Sequence, residues 1–339
     1  MAPNVLRAIA ATAPGPLDAD TSFVEIETTL GPIQPRDLVV EVRAVSVNPV
    51  DIKVRKSFDT ADAPKILGYD AAGVVVDAGS EVYRFSVGDE VYYAGAINRP
   101  GSNASHQLVN DHIVGHKPRS LSFAEAAALP LTTITAWEVL FDKLRLQRAD
   151  EGTILVVAGA GGVGSMIIQL ARRLTGLRII ATASRPESAS WATELGAHHV
   201  VHPDRMREEV PTLAPGGVEY VFSPYSAGNV ETYAAIMGVY GQVVAIDEPH
   251  DLDTLPFKKK SQTWHWEYMF ARPLYLPDDG RQRKLLEQVS ELVDNGAIRT
   301  TATTVLQGLT PDTVRQAHQQ VESGSTIGKV VIDCRPEAG

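Results

Sequence analysis

The sequence is poor in cysteine, in long apolar runs and in positive charge, and each shortage excludes a class of protein. Cys334 is the only cysteine in 339 residues, which rules out an internal disulfide and an all-cysteine zinc site and favours a reducing compartment. No apolar stretch approaches the ~20 residues of a membrane helix. The net charge of −10 argues against nucleic acid or an anionic membrane as the main partner.

The N-terminal segment has no basic start followed by a long apolar run, so it does not resemble a signal peptide. Together with the single cysteine, this predicts a cytoplasmic protein. With 44% hydrophobic residues the chain can bury a large core in roughly two domains.

Two patterns of secondary structure follow each other along the chain. Up to about residue 118, short runs rich in β-branched residues are separated by turn residues, which predicts a compact barrel-like β domain. From Gly152 onward, apolar strands alternate with amphipathic helices, which predicts an α/β domain with an open parallel sheet. The capping-box pattern Ser122-Phe-Ala-Glu125 predicts the start of a helix, and a second helix is expected from Leu131 to Leu144. A further strand and a helix over 281–294 are expected near the C-terminus.

A glycine-rich stretch, Val156-Val-Ala-Gly-Ala-Gly-Gly-Val-Gly-Ser165, joins the first strand and helix of this α/β pattern. In that position it matches the loop that binds a dinucleotide. The first glycine allows a tight turn, the second lets a pyrophosphate reach the backbone, and the last lets helix and strand pack closely. The predicted contacts are Gly159, Gly161, Gly162, Val163 and Gly164. The alternative is a glycine turn that holds no ligand.

The end of the second strand indicates which dinucleotide is bound. An NAD site places an acidic residue about 20 residues past the glycines, where it binds the ribose hydroxyls. Here Ala183 stands at about that place, followed by Ser184 and Arg185. A guanidinium binds phosphate with a planar fork of donors, so this pair predicts NADPH, although a plain surface turn is the alternative.

Taken together, these patterns resemble the medium-chain dehydrogenase/reductase superfamily, in particular its quinone oxidoreductase branch, the "zinc-type alcohol dehydrogenase-like" proteins. The resemblance covers nearly the whole chain. The motifs that carry it are Asn48-Pro-Val-Asp51, Gly68-Tyr-Asp-Ala-Ala-Gly73, Val87-Gly-Asp-Glu-Val91, Gly101-Ser-Asn-Ala104, Ala126-Ala-Ala-Leu-Pro-Leu131, the glycine loop, Ala183-Ser-Arg-Pro186, Ser261-Gln-Thr-Trp-His-Trp266 and Thr326-Ile-Gly-Lys-Val330.

The resemblance implies a Rossmann sheet, residues 129–272, inserted into a GroES-like β-barrel catalytic domain, residues 1–128 completed by 273–339, with the active site in the cleft. It also implies that Thr133 and Lys329 contact the cofactor, although a lysine at that place could instead cap a loop. Because ligands meet the carboxyl ends of parallel strands, Ser223, Tyr225 and Ile246 are further candidates.

This chain departs from the zinc-dependent relatives at the metal site. Those relatives carry a cysteine where Asn48 stands, a histidine where Tyr69 stands and a further ligand near Leu131; they also carry a four-cysteine lobe after the region of Gly95. Amide, phenol and alkyl groups do not make a catalytic zinc site, so no metal is expected. Without zinc, the expected reaction is hydride transfer from NADPH to a quinone or an α,β-unsaturated carbonyl.

Asn48 and Tyr69 are the candidate catalytic residues. Asn48 could donate an amide hydrogen bond to the acceptor oxygen, or it could only form the turn before Pro49. Tyr69 could donate a proton after hydride transfer, or it could fill the space of the missing metal ligand. Two other functions stay open: an alcohol dehydrogenase with an atypical metal site, and a protein that binds NADPH without turnover.

An aromatic segment near the end of the α/β pattern predicts a buried strand face. Trp264, Trp266, Tyr268 and Phe270 alternate along the segment Thr263–Phe270, so a strand would place them on one side. Core packing and a subunit interface both account for this pattern. Because relatives of this kind usually pair through the last strand of the nucleotide domain, the resemblance favours a homodimer.

Overall fold

The computed structural model describes residues 5–17 and 22–335 and divides into two compact units. The terminal unit comprises the described residues of Met1–Leu131 and Phe270–Gly339, and the central unit comprises Thr132–Met269. Residues 1–4, 18–21 and 336–339, all within the predicted catalytic domain, lie outside the described residues.

The terminal unit is built on two β-sheets and a few helices. Its elements are β1 (Leu6–Ala11), β2 (Phe23–Thr28), β3 (Asp37–Val47), α1 (Pro49–Ser57), β4 (Lys65–Ile66), β5 (Ala71–Ala78), β6 (Glu90–Tyr93), β7 (His106–Asn110), β8 (Val114–His116) and α2 (Phe123–Ala127). The helix α3 (Pro130–Trp137) follows α2 directly in the chain. One sheet has the order β2-β1-β4.

The C-terminal part of the chain completes the second sheet of the terminal unit. It contributes α8 (Ala271–Tyr275), α9 (Arg281–Asp294), β15 (Ala302–Gln307), α10 (Pro311–Glu322) and β16 (Lys329–Asp333), numbered after the central unit's elements. The sheet order is β15-β16-β3-β5-β6-β8, and β7 also pairs with β3. Val330 lies opposite Val47 in the antiparallel pair of β16 and β3, which brings Lys329 next to Asn48.

Apolar side chains of both sheets form the core of the terminal unit. The buried cluster includes Phe23, Leu38, Val40, Val91 and Ile332. Strand β2 shows why the pattern could be recognised, because its partly buried and exposed residues alternate from Val24 onward. Cys334 packs against this core, and burial raises the pKa of its thiol to about 12.

The central unit is a parallel six-stranded sheet with helices between its strands. Its elements are β9 (Thr153–Val156), α4 (Gly162–Leu174), β10 (Arg178–Thr182), α5 (Pro186–Leu195), β11 (His199–Val201), α6 (Met206–Leu213), β12 (Val218–Ser223), α7 (Val230–Ile236), β13 (Met237–Ala245) and β14 (Thr263–Trp266). The order β11-β10-β9-β12-β13-β14, with every neighbouring pair parallel, is that of the Rossmann fold.

The predicted helix and the aromatic strand differ in detail from the structure. The helix expected to run from Leu131 to Leu144 is α-helical only to Trp137 and continues as a π-helix from Glu138 to Lys143. The strand expected to reach Phe270 ends at Trp266, because its partner β13 ends at Ala245 and leaves no further backbone to pair with. Phe270 belongs to the terminal unit.

None of the helices formed by the described residues combines the length and the apolar composition that crossing a membrane requires.

Candidate functional site

The glycine loop lies where the sequence predicted it, between β9 and the start of α4. Gly161 is the N-cap of α4, and no side chain of the described residues caps this end of the helix. The backbone N–H groups of the first turn, Gly162 to Gly164, therefore keep their hydrogen-bonding capacity for an anion. A pyrophosphate fits such a helix start in both charge and donor pattern.

The three glycines of the motif are not crowded to the same degree. A Cβ at Gly159 would lie 2.7 Å from the Ala181 Cβ, and a Cβ at Gly164 would collide with the Ala158 carbonyl oxygen. These two positions need glycine for packing within the protein. At Gly161 the closest atom is the Ala158 oxygen at 3.3 Å, so this glycine leaves room beside the loop for a ligand.

Thr182 holds the glycine loop against the neighbouring strand, a role that the sequence did not predict. Its hydroxyl oxygen accepts a hydrogen bond from Ala158 N at 2.9 Å, and its carbonyl accepts one from Gly159 N at 2.9 Å. Ala158 has a φ of +55°, a conformation that costs free energy in a residue with a side chain. The two bonds to Thr182 offset that cost and fix the shape of the loop.

The other predicted contacts of the central unit follow the carboxyl ends of neighbouring strands. Ser184 and Arg185 follow β10, Ser223 ends β12 with Tyr225 two residues on, and Ile246 follows β13. In the sheet order β10-β9-β12-β13, these ends and the glycine loop share one edge. Open parallel sheets bind their ligands at this edge.

Arg185 is positioned by the start of α5. It is the N-cap of that helix, and its backbone N donates to the Ser188 Oγ at 3.2 Å. Ser184 is exposed and Arg185 half-buried, so the Ser-Arg pair follows β10 with part of its surface accessible.

Two hydrogen-bonded pairs stiffen the ends of β12 and β13. Ser223 Oγ bonds the Tyr233 hydroxyl at 2.8 Å and accepts from Tyr225 N at 3.1 Å. Ser226 N donates to Asp247 Oδ2 at 2.6 Å, which links the loops after the two strands. The Ser226–Asp247 link was not predicted, because its partners lie 21 residues apart and neither belongs to a known motif.

A second polar cluster lies inside the terminal unit around Asn48. Its amide nitrogen Nδ2 donates to Asp70 Oδ2 at 2.8 Å, and its oxygen Oδ1 accepts from Lys329 Nζ at 2.7 Å. Lys329 Nζ also donates to the Val47 carbonyl at 2.9 Å and lies 3.4 Å from Asp70 Oδ2. Asp70 Oδ1 accepts from Leu131 N at 2.8 Å, in the first turn of α3.

Asp51 joins the same cluster from α1. Its carboxylate accepts hydrogen bonds from Asn48 N at 2.8 Å and Gly68 N at 2.9 Å. Asn48, Asp51, Asp70 and Lys329 are each at most 3% exposed. Burial raises the pKa of Asp51 to about 7 and that of Asp70 to about 6, and it lowers the pKa of Lys329. Perturbed ionisable groups of this kind are typical of functional sites, although structural ion-pair networks shift pKa values as well.

Tyr69 and Thr133 are both buried. The Tyr69 ring meets Phe270 edge-on, with ring centroids 5.5 Å apart, so the tyrosine packs within the terminal unit. Thr133 lies in α3, and its hydroxyl has no hydrogen-bond partner among the residues of the described ranges. Of the predicted cofactor contacts, Lys329 is in the terminal unit, and the others lie in the central unit.

Comparison with known proteins finds a matching family for each of the two units. The family of alcohol dehydrogenase GroES-like domains matches residues 34–136, and the family of zinc-binding dehydrogenases matches residues 162–264. A zinc-type alcohol dehydrogenase-like protein of Staphylococcus aureus (strain COL) is 42% identical over 313 residues, which cover 88% of this chain and 90% of the relative.

The chain belongs to the medium-chain dehydrogenase/reductase superfamily. The crystal structure of a protein from Rhizobium etli CFN 42 that is described as a zinc-dependent alcohol dehydrogenase superposes with a TM-score of 0.93, at 45% identity and with 97% and 98% of the two chains covered. An NADPH-dependent alkenal/one oxidoreductase of Arabidopsis thaliana is 34% identical over 236 residues, which are 67% of this chain and 59% of the plant protein. A GroES-like domain joined to a Rossmann domain is thus confirmed.

The side chains of this chain do not fit the zinc site of the superfamily's zinc-dependent members. The positions where its zinc-dependent relatives carry ligands hold Asn48, Tyr69 and Leu131, which offer an amide, a phenol and an alkyl group. The Asn48 oxygen, the one acceptor of the amide, is already bound to the Lys329 ammonium. A second cation at that oxygen would meet the repulsion of the first.

A nicotinamide dinucleotide, by contrast, fits the central unit. The lesser crowding at Gly161, where a Cβ would meet only the Ala158 oxygen, and the uncapped first turn of α4 match a pyrophosphate. The superfamily uses nicotinamide cofactors, and this oxidoreductase has kept the parts of the fold that hold them.

Proposed function

We propose that this protein is an NADPH-dependent, zinc-independent oxidoreductase that transfers hydride to quinones or α,β-unsaturated carbonyls. One observation carries the proposal: where relatives bind a metal ion, this chain has an amide already hydrogen-bonded to an ammonium and a carboxylate. Alcohol oxidation at neutral pH relies, in the zinc-dependent relatives, on a Lewis acid that lowers the pKa of the alcohol. Reduction of a conjugated acceptor does not, because the acceptor itself spreads the arriving charge.

The central unit holds the cofactor in this proposal. The first turn of α4 donates N–H groups to the pyrophosphate, and Ser184 and Arg185 bind the 2′-phosphate that distinguishes NADPH from NADH. The bound nicotinamide supplies the hydride. The terminal unit contributes Asn48, whose amide stabilises negative charge on the acceptor oxygen.

The Arabidopsis relative supports the choice of cofactor and of acceptor class. Its name states NADPH dependence and action on alkenals and alkenones, and it shares 34% of its residues over the matched region. The absence of an acidic residue at Ala183 points the same way, because nothing there repels a 2′-phosphate.

A steady-state screen tests the function directly. Purified protein is incubated with NADPH or NADH and with one of three acceptors: 9,10-phenanthrenequinone, hexenal or acetaldehyde. Acetaldehyde tests for alcohol dehydrogenase activity in the reducing direction. Oxidation of the cofactor is followed by its absorbance at 340 nm. We expect turnover of the quinone or of the enal with NADPH, no turnover of acetaldehyde, and no change on addition of a zinc chelator. Turnover of acetaldehyde that the chelator abolishes would establish an alcohol dehydrogenase instead. Tight NADPH binding without any turnover would establish a binding protein.

We further propose a cytoplasmic homodimer joined through the segment Thr263–Phe270. Strand β14 is the outermost strand of its sheet, and Trp266 and Tyr268 expose 48% and 44% of their surface. An exposed aromatic edge of this kind favours pairing with a second copy. Sedimentation equilibrium at micromolar concentration should give twice the mass of the chain, and Trp266→Glu should give a monomer. A wild-type protein that sediments as a monomer would contradict this part of the proposal.

A further inference from the structure

Lys329 spends two of its hydrogen-bond donors inside the terminal unit, and its charge faces a buried carboxylate. An ammonium group carries three N–H donors. Two of them bond the Val47 carbonyl at 2.9 Å and Asn48 Oδ1 at 2.7 Å, and the ammonium forms an ion pair with Asp70 Oδ2 at 3.4 Å. The side chain is 3% exposed, and all three acceptors belong to the terminal unit. This arrangement differs from the cofactor contact that the resemblance implied.

We propose that Lys329 is a positioning residue for the acceptor, acting through Asn48, and is not a ligand of the cofactor. The inference rests on the proposed function, in which the Asn48 amide stabilises the acceptor oxygen. Lys329 and Asp70 bind opposite ends of that amide and thereby fix which end donates.

The geometry leaves one Asn48 donor for a ligand. The amide oxygen must face the ammonium and the nitrogen must face the carboxylate, because the reverse orientation would set donor against donor and acceptor against acceptor. Of the two N–H groups, one is used on Asp70 at 2.8 Å. Within the described ranges, the other meets only the Ser46 carbonyl at 3.4 Å, a weak contact that an acceptor oxygen can replace.

The ammonium also makes this donor stronger. A positive charge at Oδ1 draws electron density from the amide, and in a dry site such polarisation is little screened. A fixed donor in a dry site is the arrangement by which enzymes stabilise a developing oxyanion. Lys329 thus gives the amide both its orientation and its polarity.

The charge of Lys329 depends on the groups around it. Asp70 and Asp51 face it and favour the charged form, whereas burial lowers its pKa. On the elements packed against β16, the remaining ionisable side chains are engaged elsewhere: Glu125 of α2 with Ser122; on α10, His318 with Phe23, Asp312 with Arg315, and Glu322 with Arg55 and Lys56; and, on β3, Glu41 with Arg43 and Asp37 with Arg99. Strand β15 has no ionisable side chain.

Three variants test the proposal. Lys329→Met removes the charge, and Lys329→Arg keeps it. Lys329→Met combined with Asp70→Asn removes both charges, so that no unpaired carboxylate stays buried. Lys117→Met is the matched control, because Lys117 is a buried lysine of the same unit that also binds two carbonyls, those of Pro118 and Leu121.

Four measurements are made on each protein: the Kd for NADPH by fluorescence, the single-turnover rate with 9,10-phenanthrenequinone, its pH profile, and the thermal midpoint. We expect Lys329→Met and the double variant to lose about 10- to 100-fold in the single-turnover rate, with the Kd for NADPH within twofold of wild type. Lys117→Met should lower the thermal midpoint alone.

The pH profile separates charge from structure. In wild type the rate should fall at alkaline pH, because the ammonium is lost as pH rises through its lowered pKa. Lys329→Arg should keep its rate to higher pH, and the double variant should show no alkaline fall. If Lys329 only supported the fold, the single-turnover rate of the double variant would still fall at alkaline pH.

Two results would overturn the inference, and they are distinguishable from each other. A Kd for NADPH that rises tenfold in Lys329→Met, with the hydride step unchanged, would make Lys329 a cofactor ligand and leave the proposed function intact. A wild-type protein that reduces neither quinone nor enal would remove the proposed function, and this inference with it.

Discussion

Gly164→Val is expected to destabilise the central unit and to abolish cofactor binding. The added Cβ would collide with the Ala158 carbonyl oxygen and approach the Gly159 Cα within 2.9 Å, and backbone atoms cannot move aside as a side chain can. Overpacking of this kind costs about 1–3 kcal/mol or more. Urea denaturation should show the loss of unfolding free energy, and titration with NADPH should show no binding.

Gly161→Ala is the matched control within the same loop. Its Cβ would meet only the Ala158 oxygen at 3.3 Å, a tight contact but a much longer one than at Gly164, so the free energy of unfolding should fall far less than in Gly164→Val. The affinity for NADPH should nevertheless fall, because the methyl group occupies space meant for the pyrophosphate. If Gly161→Ala binds NADPH as wild type does, the pyrophosphate does not lie against this loop.

Arg185→Ala is expected to raise the KM for NADPH about 10- to 100-fold and to leave that for NADH nearly unchanged. Hydrogen bonds between a guanidinium and a phosphate contribute about 1.5–3 kcal/mol, which corresponds to such a factor. Only NADPH carries the 2′-phosphate, so the effect should be confined to that cofactor. Steady-state kinetics with both cofactors and a saturating acceptor provide the measurement.

Arg172→Ala controls for the loss of a positive charge from the central unit. Arg172 is an exposed residue in the last turn of α4, at the opposite end of that helix from the glycine loop. It should leave both KM values unchanged. An equal rise of both KM values in Arg185→Ala would show that Arg185 supports the fold of the loop and does not recognise the 2′-phosphate.

Local patterns were sufficient to predict much of the fold. The Ser122–Glu125 capping box forms at the start of α2, and the helix over 281–294 has the predicted bounds. The glycine loop was predictable because its residues are adjacent in sequence and flanked by a strand and a helix. The prediction failed for the strand to Phe270, whose end depends on how far its neighbour β13 extends, which is not a local property.

The polar cluster of the terminal unit was only partly predictable. Asn48 was identified through its motif, but its link to Lys329 spans 281 residues and exists only because β16 pairs with β3. Asp70 was overlooked for a related reason: a single aspartate before a strand has no pattern, and its three partners come from Asn48, Leu131 and Lys329. Contacts made by tertiary pairing leave no periodic signal in the chain.

The lone thiol has a consequence for how the protein withstands reactive compounds. With its pKa raised to about 12 by burial, the Cys334 side chain stays a thiol at neutral pH. Conjugated carbonyls and quinones alkylate a cysteine through its thiolate. The one thiol of this chain therefore resists alkylation by such electrophiles, which suits an enzyme that we propose consumes them.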